Sequence, residues 1–118
     1  MLIGDVGQIK GVQGLELQKE QRAKDFMLGA VYCWCKNREG EWFAVRDLFG
    51  GDNFDWGDTP LQILYDKKIS EGKEHEEAVG EGAKSAGRLL KKTLFENKRR
   101  KFETKKEEMT RKYRWVKE

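Results

Sequence analysis

Residues 28–49 read Leu28-Gly29-Ala30-Val31-Tyr32-Cys33-Trp34-Cys35-Lys36-Asn37-Arg38-Glu39-Gly40-Glu41-Trp42-Phe43-Ala44-Val45-Arg46-Asp47-Leu48-Phe49. Val31, Cys33 and Cys35 alternate with Tyr32, Trp34 and Lys36, the two-residue period of a strand. Asn37-Arg38-Glu39-Gly40 supplies turn chemistry, after which Trp42, Phe43, Ala44 and Val45 resume an aromatic and β-branched run. The stretch therefore predicts an antiparallel β-hairpin over about 28–49. Both faces of that hairpin would be apolar. Helices must cover one face, and the N-terminal arm, a partner or a second copy of the chain the other.

Upstream, Gly4, Gly7, Gly11 and Gly14 interrupt residues 1–14 and leave no helical or strand period. This stretch is expected to be a flexible or loosely attached arm with, at most, one short strand. From Leu15 to Asp25 the composition turns helical, consistent with a short helix. Residues 15–118 then form one small α+β domain.

Downstream, the Gly- and Asp-rich loop 50–58 leads into Thr59-Pro60-Leu61-Gln62, a compact helix start. Thr59 can cap, Pro60 suits the first turn because its missing N–H needs no partner there, and Gln62 can reach back. Leu61, Leu64, Tyr65 and Ile69 share a face until Ser70 and Gly72 end the helix. A second helix begins near Lys73 or Glu74, with Val79, Ala83, Ala86, Leu90 and Leu94 facing inward. Gly80, Gly82 and Gly87 each cost about 1 kcal/mol in a helix interior, so close approach of another element is expected along it.

The last segment is open to two interpretations. Phe102, Met109, Tyr113 and Val116 have helical spacing among good helix formers, which favours a third helix after a break near Asn97. Alternatively, Lys101–Lys106 and Arg111–Val116 are strands that join the hairpin. The expected fold is thus α+β: an arm, a hairpin and two or three C-terminal helices packed on it.

The chain has 118 residues, 38% of them charged, with a mean hydropathy of −0.87. That is polar, but 13 aromatic side chains, four of them Trp, are too many for a disordered chain. No apolar run reaches the roughly 18 residues of a membrane span, and no secretory signal is visible, so a cytoplasmic protein is expected. Cys33 and Cys35 lie on one face of the expected strand. A single histidine, His75, cannot complete a zinc site with them, so they are taken as structural thiols. Asp47, Asp52, Asp55 and Asp58 lack the calcium-loop spacing and fit turn and cap chemistry better. Gly80-x-Gly82 matches no phosphate-loop fingerprint. No catalytic constellation, metal site or cofactor is expected.

Charge carries the functional signal. Residues 88–118 hold 13 Lys/Arg against five Glu, a net of +8, whereas residues 1–87 carry a net of −5. A positive end on a mildly acidic body suits a nucleic acid or another polyanion as partner. Arg99, Arg100, Lys101, Arg111 and Arg114 are the candidate phosphate contacts. Trp115, set between Arg114 and Val116, is the candidate base-stacking group. The competing structural explanation is a solvated Lys/Glu-rich helix. A second function class is a protein-interaction or inhibitor module, or a self-association surface, that uses Tyr32, Trp34, Trp42 and Trp56 as anchors. Small size, mixed charge and the missing catalytic signature resemble virus- or prophage-encoded accessory proteins in class, with no motif behind the likeness.

Overall fold

A computed structural model describes residues 1–50 and 55–117. It is an α+β arrangement of four helices and a three-stranded sheet. In chain order these are β1 (Leu2–Gly4), α1 (Leu17–Asn37), α2 (Val45–Phe49), α3 (Gln62–Ser70), α4 (His75–Glu96), β2 (Lys101–Glu107) and β3 (Thr110–Val116).

The stretch expected to form a hairpin is mostly helix. Ala23, Met27, Val31 and Cys35 are spaced by four and are all buried along α1. The alternation of Val31, Cys33 and Cys35 is apolar in both registers, so it is equally compatible with a helix that buries a wide face. Ala23 and Met27, upstream of the alternating run, set the helical phase. Gly29 does not interrupt it, because it lies on the exposed side of the helix with nothing within 4 Å of an added Cβ. The turn chemistry of Asn37–Gly40 ends a helix rather than reversing a strand: Asn37 Nδ2 donates to the Cys33 carbonyl at 2.8 Å. Cys33 is consequently exposed and Cys35 buried, on different sides of α1.

Of the expected second strand, only Phe43 joins the sheet. Its N–H and carbonyl exchange 2.8 Å hydrogen bonds with Tyr113 at the edge of β3. The antiparallel hairpin lies instead at the C-terminal end of the chain, where β2 and β3 pair from Lys101↔Val116 to Glu107↔Thr110. A helix over this segment would also bring Phe102 and Tyr113 to one side; in the sheet, strand pairing sets both on the inner face, each 2% exposed or less. Glu108, with φ 56°, turns the chain between the strands. The sheet is mixed, because β1 pairs with β2 in parallel, Leu2 opposite Phe102. Gly4, with φ 100°, passes so close to β2 that a Cβ would meet the Thr104 carbonyl at 2.8 Å. The rest of the N-terminal stretch has no regular structure, but Val6, Ile9, Val12 and Leu15 pack against the core.

α3 starts later than expected. Thr59 Oγ1 accepts the Leu61 N–H at 3.2 Å, but Leu61 is the N-cap, with no side-chain cap, and Pro60 precedes the helix. Gln62 Nε2 donates forward to Asp66 Oδ1 at 3.2 Å rather than reaching back. Leu61 and Leu64 are buried, whereas Ile69 lies largely in solvent. α3 packs on α4 rather than on a hairpin. Gly82 lies at this contact, where a Cβ would sit 3.6–3.7 Å from the Leu64–Tyr65 backbone, ordinary van der Waals distance. The buried stripe of α4 runs through Ala78, Gly82, Ser85, Ala86, Leu89, Leu90, Thr93 and Leu94. It is displaced from the expected face, leaving Val79 and Ala83 only half-buried. α4 ends at Glu96, and Asn97 Oδ1 accepts the N–H groups of Arg99 and Arg100 at 2.8 and 2.9 Å to start the path into β2.

No helix among the described residues is long and apolar enough to cross a membrane. Of the four clustered aspartates, Asp47 accepts the Ala44 N–H at 2.7 Å and Asp55 the Gly57 N–H at 2.7 Å, both local capping contacts. Asp52 and Phe54 lie outside the described residues. His75 Nδ1 lies 2.8 Å from the Tyr65 hydroxyl. The described residues contain no group of three or more His, Cys, Asp or Glu side chains placed to hold a metal ion.

Candidate anion-binding groove

Two elements change character along their length, and the groove forms where both do. On β2 the inward-facing positions are Phe102, Thr104 and Lys106, and on β3 they are Trp115, Tyr113 and Arg111. The register sets Lys106 opposite Arg111, so the inner face of the sheet turns cationic beyond the core. On α4, the side facing away from Gly82 carries Gly80, Ala83 and Gly87, bordered by Lys84, Arg88 and Lys91 at helical spacing. Between these surfaces lies an open groove of about 650 Å³, flanked by residues 44–46 with Gly50, by Gln8 and Lys10 of the N-terminal stretch, and by Met109 and Thr110 at the β2–β3 turn.

The lining is strongly one-signed. Lys10, Arg46, Lys84, Arg88, Lys91, Lys106 and Arg111 contribute, and no Asp or Glu is among the described residues that line it. The ion pairs among the described residues, such as Lys24–Glu96, Lys92–Glu20 and Arg114–Glu103, all involve cations outside the groove. Two groove cations are tethered to backbone instead. Lys91 Nζ donates to the Gln8 carbonyl at 2.8 Å, and Arg111 donates to the Asp5 carbonyl and, at 3.4 Å, to Thr104 Oγ1. Burial pushes the Lys91 ammonium below its ordinary range; Arg111, Lys106 and Lys10 add to this, while Asp5 opposes it. Like charges gathered here, with no carboxylate among the described lining residues, set up a positive potential that a bound anion would offset. The floor is apolar and small, formed by Ala44, Val45, Ala83 and Ala86 with the two glycines.

Of the six candidates singled out from sequence, only Arg111 lines this groove. Arg99 is exposed at the bend before β2. Arg100 is sandwiched between the rings of Tyr32 and Trp115, its Cζ 4.1 and 4.4 Å from their centroids, and its Nη1 is buried without a hydrogen-bond partner. Trp115 therefore already stacks on a guanidinium. Lys101 and Arg114 lie on the outer face of the sheet, where Arg114 bonds Glu103 at 2.8 Å.

The aromatics proposed as partner anchors do not converge on one open surface. The Tyr32 hydroxyl accepts from Asn97 Nδ2 at 2.9 Å. Trp34 packs on Phe43, centroids 6.0 Å apart, beneath Arg38. Trp42 lies against Lys105 and Arg114, and Trp56 Nε1 donates to the Phe49 carbonyl at 2.9 Å. Each is engaged within the chain.

Sequence reasoning missed Lys10, Arg46, Lys84, Arg88, Lys91 and Lys106 as site residues. The available signal was the run Gly80–Lys91, in which small residues recur at helical spacing, each of Ala83 and Gly87 followed directly by a cation. No family model, curated protein or solved structure matches the chain.

Proposed function

We propose that this protein is a polyanion-binding module that holds nucleic acid by its phosphates in the groove between α4, residues 44–50 and the β2–β3 turn. The observation that supports it is the convergence of seven cations around about 650 Å³, with no carboxylate among the described lining residues. Phosphate contacts of this kind give affinity and orientation but little sequence preference, because the backbone is the same for every base. The proposal keeps the basic C-terminal segment as a contributor through Arg88, Lys91, Lys106 and Arg111. It moves the contact away from Arg99, Arg100 and Trp115. A protein-interaction role finds less support, because the aromatics that would anchor it are taken up internally.

Charge reversal tests the proposal. The pair Lys84→Glu with Arg88→Glu is expected to abolish binding of a labelled oligonucleotide at low salt, read by fluorescence anisotropy. The pair Lys19→Glu with Lys73→Glu changes net charge equally but lies outside the groove, on cations already paired with Glu16 and Glu77. It is expected to weaken binding only slightly. Equal loss from both pairs would show that net charge, rather than the groove, does the binding.

A further inference from the structure

Resting on the assignment of the groove as a nucleic-acid site, we infer that it takes an unpaired strand laid lengthwise along α4, and that it disfavours a duplex. Cations stand on facing walls of the cleft, Lys84 and Arg88 on α4 and Lys106 and Arg111 on the sheet. Charge on both walls suits a strand that enters between them. A duplex presents a broad convex cylinder and would reach only the rim.

The floor agrees with that geometry. Gly80 and Gly87 are seven residues apart, about 10.5 Å along a helix axis, with Ala83 between them. Neither has a positive φ, and nothing lies within 4 Å of a Cβ built at either position. Gly82, by contrast, lies against α3, where a Cβ would touch the Leu64–Tyr65 backbone. The two glycines thus serve no contact within the described fold, and they leave open space in the lining along which a sugar–phosphate backbone would lie. Among the described residues the groove offers no stacking platform, since the aromatic that lines it, Tyr113, is 2% exposed. Selection is therefore for strand form and charge, with little preference among bases.

The experiment uses the full chain carrying Gly80→Ala and Gly87→Ala, with Gly29→Ala as a control. Gly29 is also a helical glycine with open space around it. All three changes are expected to raise Tm, because alanine is the better helix former and meets no obstacle. Anisotropy is then measured with a labelled poly-dT oligonucleotide and with a hairpin duplex of similar charge. Wild type is expected to prefer the single strand. The Gly80/Gly87 variant is expected to lose about tenfold or more on it, the scale of a misplaced methylene in a fitted site. Its duplex binding and salt slope should stay unchanged, and Gly29→Ala should bind like wild type. Unchanged single-strand affinity in the Gly80/Gly87 variant, with the Lys84/Arg88 reversal still abolishing binding, overturns the strand assignment and leaves the groove assignment standing. Equal wild-type affinity for both ligands, or a lowered Tm, overturns it too. Absence of wild-type binding to either ligand at low salt overturns the groove assignment itself.

Discussion

Lys106 and Arg111 face one another across the β2–β3 ladder, on the side of the sheet that carries Phe102 and Tyr113 but beyond the end of the core. One strand period thus runs from buried aromatic to cation in four residues. The same transition occurs around α4, where the side away from Gly82 trades apolar bulk for glycine, alanine and cations. The groove is the space between these two transitions. Like charges gathered there set up a positive potential that draws an anion, whereas elsewhere in the described structure carboxylates are set beside many of the cations.

Arg100 is expected to be a structural residue. With its guanidinium between Tyr32 and Trp115, Arg100→Ala should lower stability by about 1–2 kcal/mol, the range for partly desolvated cation–π contacts. The salt dependence of oligonucleotide binding should remain that of wild type. Urea melts paired with anisotropy check both. A large loss of affinity at unchanged stability would return Arg100 and Trp115 to the binding surface.

The two thiols should differ sharply in reactivity. Cys33 is exposed, whereas burial pushes Cys35 up to about 11 from a model-compound value of 9.0, Arg100 opposing the shift. A disulfide-exchange reagent at pH 8 should modify one thiol per native chain quickly and the second only on unfolding. The stability contributed by the neutral, buried Cys35 is complete below about pH 9. It is lost as the pH rises toward 11, because the unfolded state ionises first. Cys35→Ala should flatten that alkaline decline. Rapid modification of both thiols in the native protein would contradict the helical placement.

At the start of α3, Leu64→Ala should cost about 2–5 kcal/mol, since Leu64 is 1% exposed and packs where α3 meets α4. Thr59→Ala should cost about 1 kcal/mol, through loss of the Oγ1 contact with the Leu61 N–H. Denaturant melts giving the reverse order would show that α3 is not docked as described.

The parts of this fold legible in the sequence were those with local punctuation. Thr59 and Pro60 lie just before α3, Gly72 lies just past its end, and Asn97 stands at the expected break, between α4 and β2. The hairpin was misplaced because Val31–Lys36 is apolar in both strand registers, and only Ala23 and Met27, further back, reveal a four-residue period. The C-terminal segment is open between helix and strands in the sequence because it is rich in good helix formers, Lys, Arg, Glu and Met. Their propensity is overridden by pairing with β1 and Phe43. The strand alternative over Lys101–Lys106 and Arg111–Val116 is the one that forms, though without the expected hairpin to join. The groove was least legible. It joins residues 10, 46, 84–91 and 106–111, and nothing local says that these cations converge while Arg99, Arg100 and Arg114 turn elsewhere.

The most direct measurement of the central claim is the salt dependence of binding, with a labelled single-stranded oligonucleotide at three ionic strengths. If about four phosphates are neutralised in the groove, log K should fall against log salt with a slope near −3. Replacing Lys84, Arg88 and Lys106 together by Ala should bring that slope to about −1, since each lost phosphate contact removes about 0.7. Replacing Arg99, Lys101 and Arg114 should leave it near the wild-type value. A slope that flattens equally in both triple variants, or only in the second, would contradict the groove as the site of binding.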